Sequence, residues 1–98
     1  MHVEILHLVP GARAATGIAV VIDVFRAFTT ACFAFANGAE SVLAVGDVEV
    51  AVRMKKECPD CFLMGERQGA APPGFNFGNA PAEIEHVDFT GRTVIHTT

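Results

Sequence analysis

Asp23 and Arg26 stand three residues apart in VVIDVFRAFTTACFAFANGA, the most apolar stretch of the chain. A carboxylate and a guanidinium need a reason to be there. Arg26 falls in the first turn of a helix predicted over residues 26–36, where a cation opposes the helix dipole unless an anion sits beside it. Free backbone N–H groups at that helix end, with a guanidinium next to them, suit a phosphate. Thr29 and Thr30 follow on the same helix face and can donate hydroxyls. Asp23 would repel a bare phosphate at that distance. A divalent cation resolves the conflict, because Mg2+ takes one or two carboxylates together with phosphate oxygens. The competing reading is an Asp23–Arg26 ion pair that fixes a strand–helix turn, with the threonines merely packing. The spacing alone does not separate the two.

A second candidate cluster lies in GERQGAAPPGFNFGNAP, which starts at Gly65. Loops beyond about 12–15 residues are uncommon in compact domains and usually serve a function or are disordered. Pro72 and Pro73 stiffen this one, and Phe75 and Phe77 are expected to anchor it. Asn79 is expected to N-cap a following helix, with Pro81 tolerated in its first turn. That builds a second anion-friendly end, including Gly78 and Asn79, near Glu66 and Arg67. The bland alternative is a surface loop packed by its own phenylalanines.

Other chemistry-bearing residues read as structural. CPDC, Cys58 to Cys61, sits between a helix end and a strand start, where a thiolate would face the negative helix terminus. No second cysteine pair exists to complete a zinc site, so a Pro-Asp turn with half-buried thiols is expected. His2, His7, His86 and His96 show no metal spacing, and only His96 falls near the expected strand edge. It is read as structural by default, with contact to the site as the minority alternative.

The elements that must position these groups follow from hydrophobic pattern. Residues 3–8 alternate like a strand, and residues 10–17 form a small-residue loop. Residues 18–24 are a β-branched run expected to be a strand covered on both faces. Asn37 and Gly38 stop the first helix. A strand is predicted over 41–45, a helix from the Asp47 N-cap through Glu57, a strand over 61–64, the loop over 65–78, a helix from Ala80 and a last strand over 93–96. Strand–helix–strand alternation implies an α/β fold, three-layer α/β/α with a mostly parallel sheet, in one domain. In such sheets ligands bind beyond the carboxyl ends of the strands, where Asp23, Glu66, Arg67 and His96 all fall.

Composition narrows the class. In 98 residues, 51% are hydrophobic and 18% charged, and the formal net charge is −4. The seven Lys and Arg residues are scattered, which leaves no electrostatic footprint for nucleic acid. A membrane span is excluded on energy: Asp or Arg at a bilayer centre costs roughly 2.5–3.5 kcal/mol each. No basic region followed by an apolar run marks a secretory leader, and the odd cysteine count lacks a disulfide framework, so the cytoplasm is expected. The helix over 26–36 is apolar nearly all round, and the chain ends at a strand end. A homo-oligomer or a missing C-terminal half is therefore expected.

Taken together, DVFRAFTT, ANGA, GER, GFNFGNAP and a strand ending in Thr-Thr resemble, in order and spacing, the 2-phosphosulfolactate phosphatase family. The resemblance covers most of the chain from Ile18 to Thr98, as an N-terminal portion. It implies a Mg2+-dependent hydrolase that converts a small phosphorylated and sulfonated substrate, 2-phosphosulfolactate, to sulfolactate and phosphate, a step of coenzyme M biosynthesis in methanogens. The positions carried over are Asp23, Arg26, Thr29, Thr30, Asn37, Gly38, Glu66, Arg67, Gly74, Gly78 and Asn79. On the physical argument, Asp23 and Glu66 hold the metal, while Arg26, Arg67, Thr29, Thr30 and helix amides stabilise phosphoryl charge. Asp23 could instead be a nucleophile. Phe28 replaces a Thr or Ser of the family pattern, Asn76 an Asp, and Ala80 a Ser. These departures favour a non-catalytic anion-binding domain as the alternative, and the apolar first helix favours a structural half-domain acting in assembly.

Overall fold

The computed structural model describes all 98 residues. Its sheet has three strands, β1 (Ser41–Ala44), β2 (Phe62–Gly65) and β3 (Thr93–Thr97), all parallel in the order β1-β3-β2. Helices α1 (Leu8–Ala14), α2 (Thr29–Ala36), α3 (Val48–Glu57) and α4 (Pro81–Ile84) accompany it, and a wide helical turn, Val24–Phe28, leads into α2.

The central strand alternates its buried side chains between two faces, as the pleat requires. Val94 packs with Met64, Ala34 of α2, Ile84 of α4 and Phe89 on one face. Ile95 packs with Leu63, Cys61 and Ala51 of α3 on the other. Helices thus cover both faces of the sheet, and the α/β expectation holds. Phe62, Phe77 and Phe89 form an aromatic cluster with centroids 5.1–5.9 Å apart. Phe77 and Phe75 reach opposite faces of the sheet, so they anchor the long loop as expected.

Caps explain the element ends. Asp47 Oδ1 accepts from the N–H groups of Glu49 (2.7 Å) and Val50 (3.1 Å), and Lys55 and Lys56 occupy the last turn of α3. Gly38, at φ +97°, follows α2, and a Cβ there would meet Thr90 Oγ1 at 2.7 Å. Only glycine satisfies both the left-handed backbone and the close approach. The Asn37 side chain donates to the carbonyls of Ile84 (2.8 Å) and Glu85 (3.1 Å), which ties the end of α2 to the end of α4.

Three expectations need correction. Residues 3–8 and 18–24 are not strands: Ile18, Val20 and Ile22 are 98%, 81% and 82% exposed. A buried β-run needs a hydrogen-bonding neighbour and a cover on each face, and the three strands here provide neither for it. Instead of a loop over 10–17, the chain forms α1, with no buried residue. Lastly, Cys58 and Cys61 are joined as a disulfide rather than left as thiols; the Pro-Asp turn brings their Cα atoms to 5.5 Å, within bridging range. Cys32 is free and exposed. No helix is long and apolar enough to cross a membrane.

Candidate active site

Beyond the carboxyl ends of β2 and β3 lies a cleft of about 310 Å³, lined by Asp23, Phe25, Arg26, Ala27, Glu66, Asn79 and Thr98. Each wall has a local cause. Asp23 precedes the helical turn in extended conformation (φ −138°, ψ 90°) and caps nothing. Glu66 follows Gly65 directly at the end of β2, where its N–H donates to Thr97 O at 3.1 Å. Gly65 is required there because a Cβ would lie 1.8 Å from the Thr97 carbonyl oxygen. Thus the Gly-Glu step lets β2 and β3 close tightly and delivers a carboxylate to the rim.

The close contacts between oppositely charged groups are Arg92–Asp60 (3.8 Å) and, when His86 is protonated, His86–Glu85 (3.2 Å). Asp23 and Arg26 therefore do not pair with each other, and the turn-fixing reading of the two residues does not describe this fold. Arg26 is exposed at the cleft, and its guanidinium has no partner within the chain. Glu66 is half-buried and its Oε2 accepts from Gly69 N–H at 2.7 Å, which leaves Oε1 free.

The other expected site residues are engaged elsewhere. Thr29 Oγ1 donates to Val24 O (2.6 Å) and Thr30 Oγ1 to Arg26 O (2.8 Å), so both hydroxyls brace the turn instead of facing the cleft. Arg67 donates to Glu66 O (2.6 Å), Gly46 O (3.0 Å) and Thr97 Oγ1 (2.8 Å). It ties three segments together behind the rim. Gly78 N–H donates to Glu83 Oε2 at 2.7 Å and is not part of the cleft wall. Asn79 does line the cleft but is not the cap of α4; that position is Ala80, which offers no side-chain acceptor.

His96 is the residue that sequence reasoning undervalued. It is 7% exposed, and its Nε2 lies 3.1 Å from Asn79 Oδ1. Burial pushes its imidazole below the ordinary 6.5, and the charge of Asp23 pulls the other way. His96 is thus neutral near pH 7 and within the electrostatic reach of the site. Its place in a strand end with Thr97 and Thr98 was the available signal.

The family departures become interpretable. Asn76 Oδ1 accepts from Leu63 N–H at 2.8 Å, a loop anchor that a carboxylate would serve equally, and Asn76 does not line the cleft. Phe28 is 44% exposed and also outside it. Replacing the family's serine with Ala80 forgoes an N-cap worth about 1 kcal/mol. None of the departures removes a group from the cleft wall.

Chemically, the cleft offers two carboxylates, a free guanidinium and an amide. Groups of these types coordinate a cation and hydrogen-bond an oxyanion. The chain belongs to the 2-phosphosulpholactate phosphatase family, whose model matches residues 3–98. Among relatives bearing the name "Probable 2-phosphosulfolactate phosphatase", that of Thermoplasma acidophilum is 40% identical over 83% of this chain and 37% of its own length. That of Thermotoga maritima is 44% identical over 82% of this chain and 34% of its own length, and that of Symbiobacterium thermophilum 39% identical over 95% and 41%. The chain thus spans about a third to two fifths of the length of the curated relatives it matches.

Proposed function

We propose that the cleft hydrolyses 2-phosphosulfolactate, or a related small phosphate ester, to the alcohol and phosphate. The observation that carries the reading is that Asp23 and Arg26 line one cleft at the carboxyl end of the sheet together with Glu66, which is distant from both in sequence. Arg26 receives the phosphoryl oxygens through its free guanidinium fork. Arg67 holds the Glu66 backbone in place, and Thr29 and Thr30 hold the turn that presents Asp23 and Arg26. Asp23 and Glu66 fit a Mg2+, an ion satisfied by one or two carboxylates plus substrate oxygens. When bound there, the ion would neutralise phosphoryl charge as the ester bond breaks.

The deciding measurement is phosphate release from 2-phosphosulfolactate and from simpler phosphate esters, with Mg2+ and with a chelator. The Asp23→Asn variant is expected to lose on the order of 10²–10³-fold in rate. Activity indifferent to both the chelator and Asp23→Asn rejects the reading. Trapping with hydroxylamine separates attack by water from a phosphoenzyme on Asp23, since only an acyl phosphate yields a hydroxamate.

A further inference from the structure

We propose that His96 is a positioning residue that fixes the orientation of the Asn79 side-chain amide, so that Asn79 presents its Nδ2 hydrogens to the phosphoryl group in the cleft. The inference rests on reading the cleft as a phosphate site, and it assigns a residue pair outside the charged set.

Asn79 is 7% exposed, yet it lines the cleft. Its Oδ1 faces His96 Nε2 at 3.1 Å. With Oδ1 on the His96 side, Nε2 carries the proton, because an amide oxygen only accepts. A neutral imidazole has one N–H, so the ring tautomer and the amide orientation are linked, Nε2–H going with Oδ1 toward His96. Asn79 Nδ2 has no hydrogen-bond partner in the chain, whereas no buried side-chain nitrogen or oxygen lacks one. Nδ2 is therefore the accessible atom of an otherwise buried side chain, and the cleft is where it opens.

The arrangement has a physical purpose. An asparagine amide can present either end, because its two faces have nearly the same shape. Turning Oδ1 toward the cleft would set a partial negative charge beside Asp23 and Glu66 and call for the Nδ1–H tautomer, whose bare Nε2 accepts from Nδ2. The His96 N–H removes that ambiguity before a ligand arrives, so no reorganisation is needed at binding. His96 can do so because it follows Val94 and Ile95 on the central strand, held at 0% and 1% exposure.

The test uses the full chain, nitrogen-15 NMR and inorganic phosphate as the probe. The His96 ring is expected to be the neutral Nε2–H tautomer, and the Asn79 side-chain amide protons are expected to shift on phosphate addition. His96→Gln, which keeps a donor, should hold phosphate within about threefold of the parent, while His96→Leu should weaken it at least about tenfold. A ring found as the Nδ1–H tautomer, or an Asn79 amide unmoved at saturating phosphate, overturns the proposal without any appeal to a variant's folding. Equal weakening by His96→Gln and His96→Leu also overturns it, since only packing would then matter. If Asn79 responds to phosphate in a protein that hydrolyses no ester, the pair stands and the phosphatase reading fails.

Discussion

Arg26 shows how a side chain that makes no bond within the fold can still be placed by it. Its side chain is exposed at the cleft and bonds to nothing within the chain, while its carbonyl accepts from Thr30 Oγ1. Arg26→Ala is expected to raise the KM for a phosphate ester at least about tenfold, with a melting temperature within about 2 °C of the parent. Steady-state kinetics and calorimetry on the same sample check both halves. Asp88 presents the opposite case. The Thr90 hydroxyl (2.6 Å) and the Thr90 backbone N–H (2.9 Å) both donate to its Oδ1 and hold its carboxyl below the ordinary 3.8. A depressed carboxylate favours folding where it is ionised, so this contribution is present above pH 3.8 and lost as pH falls through the folded-state value. Thr90→Val should move the Asp88 pKa back toward 3.8, read by carbon-13 NMR of the carboxyl.

At the scale of elements, the tightest constraint is the approach of β2 to β3. The register pairs Gly65 with Thr97, and a side chain at 65 would collide with the Thr97 carbonyl. Gly65→Ala is expected to destabilise by about 3 kcal/mol or more, because backbone rather than a flexible tip must yield. Urea unfolding measures it, and a loss under about 1 kcal/mol would show that the strand ends relax freely. The same substitution would displace Glu66, so activity should fall with stability. The α3 boundaries, the Asn37-Gly38 stop and the anchoring of the loop by Phe75 and Phe77 were readable because each depends on a local rule. The fate of Thr29, Thr30 and Arg67 was not readable. A hydroxyl or guanidinium can turn to backbone or ligand, and only the path of neighbouring segments decides which.

For the whole molecule, the unpartnered segment dominates. Val20, Val21 and Ile22 are 71–82% exposed, and Phe25 and Phe35 on the helical side are 89% and 52% exposed. Contiguous apolar surface of this extent invites association. The 98-residue chain is expected to self-associate, sedimenting above 10.4 kDa. Ile18→Lys combined with Val20→Lys should shift it toward monomer, as read by analytical ultracentrifugation. A chain that stays monomeric at high micromolar concentration would show that the segment needs no cover.

Apolar runs, caps and ordered motifs in the sequence by themselves determined the α/β class, three of the five expected strands and the family. Those signals are local, or depend only on order along the chain. Tertiary structure alone decided which of the candidate polar groups share one cleft. It brought Asp23, Arg26, Glu66 and Asn79 together, turned Thr29, Thr30 and Arg67 to backbone carbonyls, gave the Gly78 N–H to the Glu83 carboxylate, and set His96 behind Asn79. Residues 18–24 had the pattern of a covered strand, but a strand exists only where another backbone completes its hydrogen bonds.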